Sequence, residues 1–215
     1  TIRPGEINVM TAGRGIAHSE YSVAVPGPLH GVQLWVALTE QHRDTPPAFE
    51  HHAGLPVVAQ DGMAARVMMG AFAGATSPAT TFSPLVGAEL HIRGEVTVPV
   101  EPDFEYAVLA LDTDLEVEGR TVPHTGLQYL GWGSDRLRLS ATRPARLLLL
   151  GGEPMAEHLL MWWNFVGRSH EEIVQVREQW QSRDPRFPDV PGDPQERLPA
   201  PALPTVALKP RPPRR

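Results

Sequence analysis

The sequence predicts an all-β fold of two successive β units, followed by one short helix and a proline-rich extended tail. Three observations carry this. Short apolar runs broken by Gly and Pro fill residues 1–152, as in sandwiches and barrels built from many short strands. Several runs alternate with a period of two, as Val32, Leu34, Val36 and Leu38 do against Gln33, Trp35 and Ala37, which is the pattern of a half-buried strand. Only one segment couples a helix start signal to a helical apolar stripe.

In chain order, the predicted strands begin with Glu6 to Met10 and Val32 to Leu38. A polar, turn-rich stretch over residues 40–60, holding Gln41-His42-Arg43-Asp44 and Thr45-Pro46-Pro47, reads as the connection between the units. The second unit, residues 60–152, offers Ala65 to Met69, Val86 to Ile92, Val96 to Val100 and Phe104 to Leu111. Gly126 to Leu130, Arg136 to Leu139 and Arg146 to Leu150 complete it, enough strands to close a barrel. Residues 1–50 offer three or four, too few to close one. The opening Thr1-Ile2-Arg3-Pro4-Gly5 reads as a turn entering a strand, and the first unit is expected to lack its N-terminal part.

Residues 153–182 carry a connection and the helix. Ser169-His170-Glu171-Glu172 fits a capping box, in which the Ser hydroxyl and the Glu carboxylate satisfy free N–H groups of the first turn. Ile173, Val176 and Trp180 then share one stripe, expected to pack on a barrel, and the helix should end near Ser182. From Arg183 to Arg215 there are 10 prolines in 33 residues, which excludes a helix or sheet of its own. Leu198, Leu203, Val206 and Leu208 favour a strap lying along a barrel over a solvated tail. The five Trp, including Trp35 and the Trp162-Trp163 pair, read as core.

Composition narrows function by exclusion. A formal charge of −6 argues against direct nucleic-acid binding, and the one basic cluster, Lys209, Arg211, Arg214 and Arg215, reads as a solvated tail. No cysteine is present, so disulfides and thiolate metal sites are excluded. The longest apolar stretches, such as Leu147 to Leu150, are far too short to cross a bilayer. With no signal peptide legible, the expected location is the cytoplasm. Gly151-Gly152 lacks the Lys and Ser/Thr of a phosphate loop, so no nucleotide-binding residues are assigned.

The stretch with most chemistry is Met10-Thr11-Ala12-Gly13-Arg14-Gly15-Ile16-Ala17-His18-Ser19-Glu20. It reads as a tight turn entering a strand, on which His18 and Glu20, two apart, point to one side. An imidazole and a carboxylate presented together suit a divalent metal, though the same spacing also describes a strand with polar residues facing solvent. Arg14, between two glycines, is a candidate to bind a carboxylate or substrate oxygen, or else to anchor the turn on backbone carbonyls.

Pro4-Gly5, the Met10 to Glu20 stretch and His30-Gly31-Val32-Gln33-Leu34-Trp35-Val36 together resemble the pirin family. So do Gly151-Gly152-Glu153-Pro154 and Trp163-Asn164-Phe165-Val166 running into the capped helix. The resemblance implies a bicupin: two cupin-type barrels, the N-terminal one holding a single metal on three His and one Glu, the C-terminal one without metal. His18 and Glu20 match two of those ligands. The other two belong to an upstream His-x-His strand that this sequence does not contain. Fe(II) is the expected metal, with Mn, Ni, Cu or Zn as alternatives, or none if the ligand set stays incomplete. His30 is a candidate partner behind the metal's ligands. His51 and His52, adjacent and so on opposite faces of any strand, do not replace the missing pair. His91 and His124 read as structural, and His42, His158 and His170 as surface or cap-adjacent.

Two functions follow from the resemblance. One is a quercetin-type (flavonol) dioxygenase acting on a small aromatic substrate, with Glu20 as the base taking the hydroxyl proton and His18 a ligand. The alternative is a non-enzymatic, iron-dependent regulatory module that binds a protein partner. With two ligands of four, a metal-free vestigial fragment is the third expectation. A monomer is expected in each case.

Overall fold

In the computed structural model, residues 1–22 and 27–213 are described. They are mostly β, with one α-helix among them. The chain divides into two compact units. One comprises Thr1–Met10 and Phe49–Pro154, the other Thr11–Ala48 and Met155–Arg215.

The first unit contains most of the strands. β1 (Ile7–Thr11) pairs with β2 (Ala48–His52) in a small two-stranded sheet. The large sheet is built from β3 (Val57–Gln60), β4 (Met63–Phe72), β5 (Ala75–Thr76), β6 (Leu85–Pro99) and β7 (Glu105–Ala110), with β8 (Leu115–Val117), β9 (Arg120–Val122), β10 (Leu127–Gly131) and β11 (Arg136–Gly152). Its order is β10-β7-β11-β6-β4-β3, with β5 on β4, β8 on β11 and β9 on β8. Every pairing in it is antiparallel.

Two pairs of predicted strands turn out to be two long strands. Val86 to Ile92 and Val96 to Val100 join in β6, and Arg136 to Leu139 joins Arg146 to Leu150 in β11. The ladder between them runs on either side of a register shift between Ala141 and Ala145, opposite Gly94. Extra residues on one strand of a pair bend it without ending it, so the breaks in apolar pattern mark a bulge and not a loop. Alternation places Leu90 and Ile92 of β6, and Leu137, Leu139, Leu147 and Leu149 of β11, in one core with Val67, Val98, Val108 and Val117. Each such side chain contributes about 1.5–3 kcal/mol by leaving water. Gly151 is needed where a side chain crosses β11: an added Cβ would lie 2.5 Å from two Tyr106 ring carbons.

The stretch read as a polar connection also contains β2 and β3. β2 has one large apolar residue, Phe49, and it is exposed, so no apolar pattern announced it.

In the second unit, β12 (Leu160–Trp162) and β13 (Phe165–Gly167) form a hairpin with Trp162 opposite Phe165. α1 (His170–Gln181) follows, with Ser169 as N-cap accepting from the Glu172 amide at 3.2 Å. The other half of the predicted capping box differs. The Glu172 carboxylate accepts from the Arg168 amide at 2.7 Å, one residue before the cap. The helix stripe packs on the hairpin and the tail, and not on a barrel. Ile173 is fully buried among Leu160, Phe165, Phe187 and Ala200, with Val176, Trp180 and Leu203 closing the cluster.

The tail from Arg183 follows the helix. Trp180 Nε1 donates to the Leu198 carbonyl at 2.8 Å, and Arg177 Nε to that of Pro201 at 2.6 Å. The Arg197 guanidinium lies 4.5 Å from the Trp180 ring centre, a cation–π contact. Leu203 and Leu208 are half-buried, whereas Leu198 and Val206 remain 75% and 70% exposed.

Other expectations fail. Val32 to Leu38 forms no strand, because alternation fits a segment for a ladder but a ladder needs a neighbour, and no described residue pairs with it. Trp35 and Trp132, at 52% and 51% exposure, are not core; Trp162, Trp163 and Trp180 are packed. No helix among the described residues is long and apolar enough to cross a membrane.

Candidate functional site

The Met10 to Glu20 stretch leaves β1 and turns tightly. The Gly15 amide donates to the Ala12 carbonyl at 2.9 Å, and the Arg14 amide to that of Thr45 at 3.0 Å. Gly15 has φ +145°, and a Cβ there would meet Arg186 Cγ and Phe187 Cε1 at 2.9 Å. Glycine therefore lets the turn lie directly against residues 186–187. Arg186 Nε reinforces this contact by donating to the Arg14 carbonyl.

Arg14 takes part through its backbone. Its guanidinium has no hydrogen bond or ion pair among the described residues, so it does not anchor the turn.

After the turn the chain runs as coil, not as the expected strand. His18 and Glu20 are both exposed. Glu20 Oε1 accepts from Gln33 Nε2 at 3.3 Å, while His18 makes no hydrogen bond among the described residues. Two residues on, Tyr21 donates its hydroxyl to Asp193. His30 is exposed in coil. Nothing in these contacts gathers a further donor around the two candidate ligands. Among the described residues, no group of three or more His, Asp or Glu is arranged to hold a metal ion. The residues present do not complete the four-ligand site that the resemblance implies: His18 and Glu20 supply two of its donors, and no group of three stands together among the described residues.

Several other histidines have local partners of their own. His51 and His52 lie on β2 with separate partners, His51 Nδ1 at 2.8 Å from Asn8 Oδ1 and His52 Nε2 at 2.9 Å from Glu50 Oε2. His170 Nδ1 accepts from the Leu208 amide at 3.2 Å, and the His124 amide donates to Asp114 at 2.8 Å. His42 Nδ1 sits 2.9 Å from Thr39 Oγ1.

Two charged networks escaped the sequence reading. In the second unit, Arg43 and Arg168 interleave with Glu40, Glu157 and Glu172. Hydrogen bonds from Arg43, and then from the Arg168 amide, hold the Glu172 carboxyl below its ordinary value against the opposing effect of burial. In the first unit, Glu89 on β6 takes Arg66 from β4 at 2.7 Å and Arg146 from β11 at 2.6 Å, with His91 Nε2 at 3.4 Å. Burial alone would raise the Glu89 carboxyl, but Arg146, His91 and Arg66 together keep it low. Cross-strand register sets this second cluster, since Arg66 lies opposite Glu89 and Arg146 opposite His91. Register is not legible in a single sequence.

The comparisons with known proteins fall on these same segments. A family model described as "Pirin" matches residues 1–36, which include Arg14, His18, Glu20 and His30. A second, "Pirin C-terminal cupin domain", matches residues 85–187. A Pseudomonas aeruginosa protein named "Putative quercetin 2,3-dioxygenase" is 43% identical over 205 residues, covering 94% of this chain and 65% of its own length. A "Pirin-like protein" of Caulobacter vibrioides is 32% identical over 196 residues, covering 88% of this chain and 67% of its own. A crystal structure of quercetin 2,3-dioxygenase from Acinetobacter baumannii superposes with a TM-score of 0.84 at 35% identity, covering 96% of this chain and 70% of that one. The chain thus spans about two thirds of the length of the relatives it matches.

Proposed function

The chain belongs to the pirin family, and on that premise we propose that it serves oxygenase chemistry on a flavonol or a related small aromatic hydroxyl compound. The observation that carries the reading is the 43% identity, over nearly the whole chain, to a relative named for quercetin 2,3-dioxygenase activity. The Acinetobacter baumannii enzyme of that name, with its matching structure, supports it independently.

In this reading His18 and Glu20 contribute two donors to a mononuclear metal, with iron preferred and manganese, nickel, copper or zinc as substitutes. They need further donors beyond the described residues, so the residues here are half a site. Glu20 is the proposed acceptor of the substrate hydroxyl proton, a task for a carboxylate within hydrogen-bond reach of it. Its hydrogen bond to Gln33 would orient the carboxylate. His18, exposed and without a hydrogen bond among the described residues, is available as a nitrogen donor.

The test is elemental analysis after anaerobic loading with ferrous iron, beside His18→Ala, followed by flavonol consumption under oxygen. About one iron per chain, lost in the variant together with turnover, supports the proposal. Equal metal content in both proteins would sink it. Capture of a protein partner only by ferric protein, without turnover, would replace the enzyme with a regulatory module.

A further inference from the structure

The Arg14 turn and the segment after the helix enclose an open cleft of about 420 Å³. Its walls are apolar: Ile16, Ala17, Pro47, Pro188, Val190 and Pro191 line it. Two guanidinium groups, Arg14 and Arg186, also line it. That of Arg14 has no partner among the described residues. The Arg186 guanidinium bonds, among the described residues, to neutral acceptors, the Arg14 carbonyl and, at 2.8 Å, Gln179 Oε1, and lies 5.3 Å from the Phe187 ring centre, while its backbone amide donates to Asp184 Oδ1 at 2.8 Å. The one carboxylate on the cleft, Asp189, is already answered by Arg197 at 2.8 Å and Arg183 at 3.5 Å. The cleft therefore carries two guanidinium groups that form no ion pair with a carboxylate among the described residues, that of Arg14 having no partner there at all.

We propose that this cleft binds a small organic carboxylate, with the apolar body against the proline walls and the carboxylate on Arg14. A planar guanidinium free of intramolecular partners matches a carboxylate with two parallel hydrogen bonds. Proline walls are rigid, so little side-chain entropy is lost when an apolar body covers them. Arg186, tethered on both sides, adds charge without needing to reorganise. The proposed contacts need no metal.

The test is an NMR titration of the full chain with benzoate and with benzamide, which match in size and differ in charge. Benzoate should shift the amides of Ile16, Ala17 and Val190, and benzamide should bind at least about tenfold more weakly. Arg14→Gln should weaken benzoate about tenfold, Arg14→Lys should restore part of the loss, and Arg93→Gln in the other unit should change nothing. Equal binding of the two probes, or undiminished benzoate binding by Arg14→Gln, overturns the proposal. So does loss of benzoate binding in His18→Ala with Arg14→Gln unaffected, which would move the ligand to His18.

Discussion

Arg43 grips Glu172 with both guanidinium nitrogens, NH2 to Oε2 at 2.8 Å and NH1 to Oε1 at 3.3 Å. The two residues come from distant stretches of the second unit. The same carboxylate takes the Arg168 amide, and it stands in the first turn of α1, where the helix dipole favours negative charge. One side chain thereby secures the start of the helix and ties it to the 39–45 turn.

Glu172→Gln should cost the fold about 1 kcal/mol, a figure already discounted because the Glu172 side chain is 38% exposed. The sign of its pH dependence follows from the lowered carboxyl. Its contribution is complete above the unfolded-state value and is lost as pH falls through the lower folded value. Urea unfolding at stepwise lower pH should show the wild-type advantage over Glu172→Gln shrinking through the acid range. A constant difference would refute the linkage.

Glu89 should matter more. Its side chain is only 12% exposed and stands between Arg66 and Arg146, so Glu89→Gln leaves two cations facing each other. We expect a loss of about 2 kcal/mol, reduced from the fully buried case because both arginines are partly solvated. The Glu89 carboxyl is also held low, so this stabilisation too is lost on acidification and not on raising the pH. Denaturation midpoints of Glu89→Gln and Glu172→Gln, measured side by side, give the order.

The contrast between these networks and the rest of the chain shows what a sequence exposes. One-sided burial writes itself as alternation, so Val86 to Ile92 and Arg146 to Leu150 were legible as strands, and Ile173, Val176 and Trp180 as a helix face. A bulge that bends a strand without ending it leaves only a gap in the pattern, so β6 and β11 each read as two. Alternation also cannot report whether a neighbour exists, which is why Val32 to Leu38 reads as a strand, and residue type alone cannot report exposure, which is why Trp35 reads as core. His18 and Glu20 were legible by residue type and by resemblance, but their placement in coil was not. The partners of Glu89 and Glu172 depend on register and on chain folding over long separations, and no local pattern encodes them.

Gly151→Ala tests close packing in the first unit. The new methyl would sit 2.5 Å from Tyr106 ring carbons, and the ring is fixed by its hydroxyl, which accepts from the Glu101 amide at 2.8 Å. Overpacking of this kind costs about 1–3 kcal/mol. Adding Tyr106→Val should relieve the clash, so the double variant is expected to lose less than the sum of the singles. Strict additivity of the thermal shifts would place the clash elsewhere.

Trp180 holds the strap. It packs edge-on against Trp163 at 5.8 Å and Phe187 at 5.6 Å, carries Arg197 on its face and bonds the Leu198 carbonyl. Trp180→Ala should cost about 3 kcal/mol and open residues 183–213 to limited proteolysis. Trp180→Phe keeps the ring contacts and loses only the hydrogen bond, so cleavage should fall between the two. Unchanged protection in Trp180→Ala would mean the strap is held by its other contacts, those of Arg177 and Leu159.

His18 and Glu20 separate a functional role from a structural one. Both are exposed, His18 without a hydrogen bond among the described residues and Glu20 with one to Gln33. Substitutions at such positions shift stability by no more than about 0.5 kcal/mol. His18→Ala and Glu20→Gln should therefore unfold with the wild-type midpoint while metal uptake falls in each. Metal uptake that falls together with the unfolding midpoint would make the residues part of the fold and leave their role as ligands without support. Uptake that falls alone isolates the ligand role, because His18 and Glu20 are exposed in coil and Glu20 has only an exposed hydrogen bond to Gln33 to lose.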